Sequence, residues 1–209
     1  MKKQKLPLVY LMCLLFVCAL LSAVPADNGY QVGDTARDFK LKNVDGNMVS
    51  MADYKDAKGF IVTFTCNTCP YSVAYEDRII DLHNKYAPKG YPVIAINPND
   101  VTVSPKDSYS YMQQRAKEKN FPFAYLQDES QEITKAYGAT RTPHLYVVQK
   151  QPDGKYKVAY IGTIDDNSRD ASKVEKKYAE AALNELAAGK AVSQPNTKAI
   201  GCTIKWREV

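Results

Sequence analysis

Histidine is nearly absent from this chain: His83 and His144 are the only two in 209 residues. Cysteine is scarce as well, with Cys13, Cys18, Cys66, Cys69 and Cys202 making five. Cys66 and Cys69 form a CxxC, but no second CxxC and no HxxxH accompanies it, so the other half of a zinc site is missing. Charge of one sign is not in excess either. The formal charge of +5 falls to about +2 once Lys2, Lys3 and Lys5 are set aside, and the remaining charges are interspersed, which leaves no footprint for nucleic acid. No internal repeat and no low-complexity segment appears.

One long hydrophobic run stands out at residues 6–21. The three lysines precede it, and small residues around Ser22-Ala23 and Val24-Pro25-Ala26 follow, the three parts of a secretory signal peptide. Residues 1–26 are therefore read as that signal, cleaved after Ala23 or Ala26, and residues 27–209 as one domain. Left uncut, the stretch from Leu6 to Val24 is just long enough to anchor the chain in a membrane, which is the only membrane contact expected. Cys18 follows Phe16-Val17 where a lipidated cysteine needs a small residue, so Cys13 and Cys18 read as apolar filler. The expected location is extracytoplasmic, in the periplasm. Three cysteines then remain, too few for a disulfide scaffold and odd in number, so export points to redox chemistry rather than stapling.

The CxxC sits where such chemistry is expected. Phe60-Ile61-Val62-Thr63-Phe64 has the length and β-branched content of a buried strand, and Tyr71, Tyr75, Ile79 and Leu82 recur at helical spacing beyond it. Two cysteines one turn apart thus lie at a strand-to-helix junction. The free N–H groups and dipole of a helix start favour an anion, so Cys66 is expected to ionise more readily than an ordinary thiol. Cys66 is assigned as nucleophile and Cys69 as the thiol that resolves the mixed disulfide.

Other elements follow in order. Phe39 and Leu41 alternate with polar residues, and the turn-forming stretch Asn43-Val44-Asp45-Gly46-Asn47 makes a β-hairpin with Met48-Val49-Ser50. A helical turn near Met51 links it to the buried strand. Tyr91 to Asn97 is a second β-type run, which with the first strand and helix gives a parallel βαβ unit. Ser104-Pro105 opens a helix reaching Lys119, and a third run spans Phe121 to Leu126. Asp128 caps a short helix ending at Gly138. Leu145 to Val148 and Tyr156 to Ile161 form an antiparallel hairpin, and alanine-rich residues 171–188 read as a last helix. Trp206 near the end suggests a tail that packs back on the domain.

A strand, CxxC at a helix start, a crossover, Thr-Pro before a hairpin and a last helix together resemble the thioredoxin superfamily. Cys66-Asn67-Thr68-Cys69-Pro70-Tyr71, Thr142-Pro143-His144, Gly162 to Asn167 and Gly201 to Trp206 are most similar to its extracytoplasmic redoxins, which stand between thioredoxins and peroxiredoxins of the AhpC/TSA kind. The resemblance implies an α/β thioredoxin fold, a central mixed β-sheet flanked by helices, with an N-terminal β-hairpin and an inserted helix. It implies a cis Pro143 against the CxxC and a Thr142 backbone that pairs with substrate. It further implies thiol-disulfide exchange with protein disulfides or dithiols, an upstream redox partner, and neither metal nor organic cofactor. The buried Asp that thioredoxin carries six residues before its first cysteine is here Phe60, which leaves water, His144 or Glu76 for proton transfer.

Two other readings use the same residues. Thr63 and Arg141 lie near the positions that peroxiredoxins use to activate a peroxidatic cysteine, here Cys66, although Gly59 stands where their proline belongs. A copper carrier of the Sco type would use two cysteines and a distant His such as His144, but its motif is CxxxCP. Cys202 remains open as an inert thiol, a resolving cysteine or a site of intermolecular pairing.

Overall fold

The computed structural model describes residues 29–208, so the signal read at residues 1–26 lies outside the described residues. Short strands β1 (Thr35–Ala36), β2 (Leu41–Asn43) and β3 (Met48–Val49) come first, the latter two forming the expected hairpin around Asn43 to Asn47. The central unit is β4 (Gly59–Phe64), α1 (Pro70–Tyr86) and β5 (Val93–Asn97). Helix α2 (Tyr109–Lys119) leads to β6 (Ala124–Gln127), and α3 (Glu132–Tyr137) leads to β7 (Arg141–Thr142), β8 (His144–Lys150) and β9 (Tyr156–Gly162). Helix α4 (Tyr178–Ala187) and β10 (Cys202–Thr203) complete the chain.

Eight strands make one sheet in the order β1-β9-β8-β4-β5-β6-β2-β3. The β4–β5 and β5–β6 pairs are parallel and the rest antiparallel, so the mixed sheet and the βαβ unit expected from the sequence are present. All six residues of β4 are buried because both faces are covered, which explains its unbroken apolar run. Alternation divides them: Phe60, Val62 and Phe64 enter a cluster with Tyr137, Tyr146 and Val148, while Ile61 enters the other with Tyr75, Ile79, Leu82 and Tyr86 of α1. Each such large side chain contributes about 1.5–3 kcal/mol on burial.

Two helices differ from the sequence expectation. Residues 105–119 are not one helix: a 3-10 turn at Pro105–Asp107 stops at Ser108, whose extended backbone (φ −63°, ψ 158°) caps α2 instead. The break turns Asp107 toward the CxxC loop. Residues 171–188 are helical as α4 only from Tyr178, after a 3-10 turn at Ala171–Lys173. Between them Asp166 binds the loop at both its N–H, which donates to Lys176 O (3.1 Å), and its carboxylate, which accepts from Glu175 N–H (3.0 Å). Those bonds hold the segment extended.

Candidate active site

The loop after β4 carries the cysteines. Thr65 N–H still donates to Ile96 O (2.9 Å), so Cys66 emerges as pairing with β5 ends. Cys69 is the N-cap of α1, Pro70 occupies its first turn, where a missing N–H costs nothing, and Val73 N–H donates to Cys69 O (2.9 Å). Asp107 holds the loop between them. Its carboxylate accepts from Asn67 N–H (2.7 Å) and lies 3.4 Å from the Thr68 hydroxyl, and Tyr125 OH donates to Asn67 Oδ1 (2.9 Å). Asp107 also accepts from Asn97 Nδ2 (3.2 Å), Asn99 Nδ2 (2.8 Å) and Ser104 Oγ (2.6 Å). A buried carboxylate with no ion-pair partner among the described residues is thus satisfied by neutral donors.

Thr142 closes the site from the other side. The Thr142-Pro143 peptide is cis, as the resemblance implied, and Thr142 Oγ1 lies 3.3 Å from Cys66 Sγ. The Thr142 carbonyl oxygen is 3.1 Å from Cys69 Sγ, so one residue meets both cysteines. Cys69 is bonded to Cys202 as a disulfide, with Cα atoms 6.0 Å apart, and Cys66 is a free thiol. β10 brings Cys202 there by pairing antiparallel with β7, Cys202 opposite Thr142 and Thr203 opposite Arg141. The tail packs back on the domain, as Trp206 suggested, with Ile204 buried.

The Cys66 thiol departs from the sequence expectation. It is only 3% exposed, and burial, reinforced by the negative Asp107, pushes its pKa up, against the Thr142 hydroxyl, the Cys69 N–H and the Ser72 hydroxyl, which favour the thiolate. The helix begins at Pro70, so Cys66 stands outside the first turn that was expected to acidify it.

The remaining candidates separate. Thr63 is fully buried in β4 and its hydroxyl meets no hydrogen-bond partner among the described residues, while Arg141 is exposed; the Cys66 sulfur is met by Ser72 and Thr142 instead. His144 is buried at the start of β8, its ring against Tyr146 and its Nδ1 accepting from Thr140 N–H (3.4 Å); burial lowers its pKa to about 4. Glu76 is held by Arg115 through two bonds of 2.7 and 2.6 Å. Phe60, in the position of thioredoxin's Asp, is fully buried. Among the described residues, no three His, Cys, Asp or Glu side chains gather where they could hold a metal ion. Sequence reasoning missed Asp107, Ser72 and the Asn97/Asn99 pair; the only signal was the cluster of Asn and Asp after the β5 run.

Known proteins share this architecture. A curated thiol-disulfide oxidoreductase ResA of Geobacillus thermodenitrificans is 24% identical over 171 residues, covering 78% of this chain and 91% of that protein. Crystal structures of an uncharacterized conserved protein from Geobacillus kaustophilus (37% identity, TM-score 0.79, 87% of this chain and 95% of that one) and of a hypothetical protein from Sinorhizobium meliloti 1021 (31%, 0.78, 86% and 97%) superpose on it. The sequence profile of the AhpC/TSA family matches residues 32–158, and with this thioredoxin fold the chain belongs to the AhpC/TSA family.

Proposed function

We propose that the chain is a thiol-disulfide oxidoreductase that exchanges disulfides with protein substrates outside the cytoplasm, with Cys66 as nucleophile and Cys69 as resolving thiol. The observation that carries the reading is the single residue Thr142, which meets the free Cys66 thiol and a Cys69 sulfur already in a disulfide. The curated relative carries the same activity in its name. Cys66 thiolate attacks a substrate disulfide, one substrate thiol leaves, and Cys69 then displaces the second while the Cys66–Cys69 bond closes; two electrons pass to the substrate. The lysines, apolar run and small residues of positions 1–26, read as a signal peptide, support export.

Burial and the negative Asp107 raise the Cys66 pKa, the reverse of the lowered pKa found in strongly oxidising enzymes. The direction proposed is therefore reduction of substrate disulfides. Thr142 and Ser72, not the Thr63 and Arg141 of the peroxidase reading, supply the hydrogen-bond partners of the Cys66 sulfur, which favours disulfide exchange over peroxide reduction. The test equilibrates the mature protein against dithiothreitol or glutathione buffers and follows thiols lost in one two-electron step. A potential near that of thioredoxin, about −270 mV, is expected, and reduction of insulin disulfides should vanish in Cys66→Ser. A potential near −120 mV would reverse the direction, and a Cys66→Ser variant that still reduces insulin would remove the nucleophile.

A further inference from the structure

The chain after α4 returns to the sheet and ends on the active site. Thr197 N–H donates to Ile161 O (3.0 Å), and Gly162, at φ +152°, leaves room for it: a Cβ there would come 2.1 Å from Thr197 Oγ1. Gly201 does the same service further on, since a Cβ would stand 2.2 Å from Thr142 O. This close approach lets β10 lie along β7 and sets Cys202 opposite Thr142. In this state Cys66 and Cys69 are 3% and 4% exposed, whereas Cys202 is only half-buried. The strand that carries the third cysteine lies against Cys69, whose Sγ accepts from Cys202 N–H (3.4 Å), while Cys66 is buried beside Thr142 and Ser72.

We propose that Cys202 is a third redox cysteine, which takes the oxidised state from the CxxC and stores it in a closed form that an external dithiol reopens. The proposal rests on the exchange chemistry proposed above. Once substrate has been reduced and Cys66–Cys69 has closed, Cys202 thiolate attacks Cys69 Sγ. The Cys69–Cys202 bond forms, the Cys66–Cys69 bond breaks, and Cys66 leaves as thiolate and takes a proton; no electrons are gained or lost. An external dithiol then attacks Cys202 Sγ, on the less buried residue of the pair, and expels Cys69 thiolate. Its second thiol closes a disulfide within the donor and releases Cys202, so two electrons enter the protein. Substrate thus reacts at Cys66 and the donor at Cys202, with Cys69 shared by both.

The test starts from the fully reduced mature protein and adds one equivalent of glutathione disulfide. After acid quenching, alkylation under denaturing conditions and trypsin digestion, Cys66 and Cys69 lie in the peptide of residues 59–78 and Cys202 in that of residues 199–205. The expected product joins the two peptides through Cys69 and Cys202, with the alkyl group on Cys66. An internal bond in residues 59–78 with alkylated Cys202 would overturn the relay while leaving the CxxC chemistry intact. Three alkylated cysteines would defeat the exchange chemistry itself, and the relay with it. In steady state with a dithiol donor, Cys202→Ser should lose turnover while Thr203→Ala, an exposed position in the same strand, keeps it. Equal turnover in both variants would also overturn the proposal.

Discussion

Strand β8 and the C-terminal tail both converge on the CxxC, yet they are attached by different physics. β8 pairs with β4 along six successive residues, and Leu145 to Val148 are buried in the two cores. The tail buries Ile204 and otherwise relies on polar clasps. Lys205 O accepts from Asp100 N–H and from Gln131 Nε2 (2.8 Å each), Lys205 N–H donates to Asn99 Oδ1 (2.9 Å), and Arg207 N–H donates to Gln131 Oε1 (2.9 Å). A hydrogen bond that water can replace contributes about 0.5–1.5 kcal/mol net, whereas a large apolar side chain contributes about 1.5–3 kcal/mol. Opening the sheet therefore means unfolding the domain. Opening the tail requires little more than breaking one disulfide and several exchangeable bonds.

The sharpest break of this contrast is on the sheet side. Phe64 is fully buried between Tyr137 and Tyr146, with ring centroids 5.4 and 5.7 Å away. Phe64→Ala should cost about 3–5 kcal/mol, read as a fall in the urea midpoint with little change in slope. A loss below about 1 kcal/mol would show that the core at this end of β4 collapses to fill the space.

The same contrast explains what was legible in the sequence. β4, β5 and β8 announce themselves because burial on both faces demands unbroken apolar, β-branched runs, and the β2–β3 hairpin because Asp45-Gly46 can make the turn. Cys66, Cys69, Thr142 and Pro143 were picked out, and all lie at one place in the structure. The pairing of Cys69 with Cys202 was not fixed, because the two lie 133 residues apart and their approach depends on Gly201 and β7. Asp107 was invisible because its role is tertiary: its donors come from the CxxC loop (Asn67), the end of β5 (Asn97) and the connection after it (Asn99 and Ser104). The burial that raises the Cys66 pKa is likewise a tertiary effect, and it outweighed the helix-start argument.

Asp107→Asn tests the polar side at its most buried point. The amide keeps one acceptor for Asn67 N–H but turns its own donors toward those of Asn99 or Asn97, so stability should fall by about 1–3 kcal/mol. The negative charge beside Cys66 disappears at the same time, so alkylation of Cys66 in the reduced protein should rise at neutral pH. Lost stability with unchanged alkylation would confine Asp107 to holding the loop.

Two buried groups at the site make stability depend on pH. His144 has a folded pKa near 4, below its free value, so its contribution is full above about 6.5 and is lost as pH falls through 4. Cys66 is shifted upward, so its contribution is full below the ordinary thiol value of about 8.5 and is lost as pH rises through the higher folded value. Urea midpoints of the reduced protein should form a plateau between these limits. In His144→Gln the decline between about pH 6.5 and 4 should shrink; an unchanged decline would assign it to carboxylates instead.

The smallest effect belongs to the tail's outermost clasp. Arg207 Nε donates to Asp100 Oδ2 (2.7 Å), and the Arg207 side chain is more than half exposed. Asp100 is held low, at about 2, first by the Thr102 hydroxyl and then by Arg207, so it keeps a partner when the guanidinium is removed. Arg207→Ala should therefore leave the urea midpoint unchanged within error, since the sheet does not depend on this contact. The closed disulfide should nevertheless respond, because freeing residues 206–208 increases the fraction of time that Cys202 Sγ is open to an incoming thiol. Reduction of the Cys69–Cys202 bond by dithiothreitol is expected to accelerate by roughly a few-fold. An unchanged rate with an unchanged midpoint would mean that Ile204 and the Lys205 backbone alone hold the strand, and would move the hinge of the closed form to Gly201.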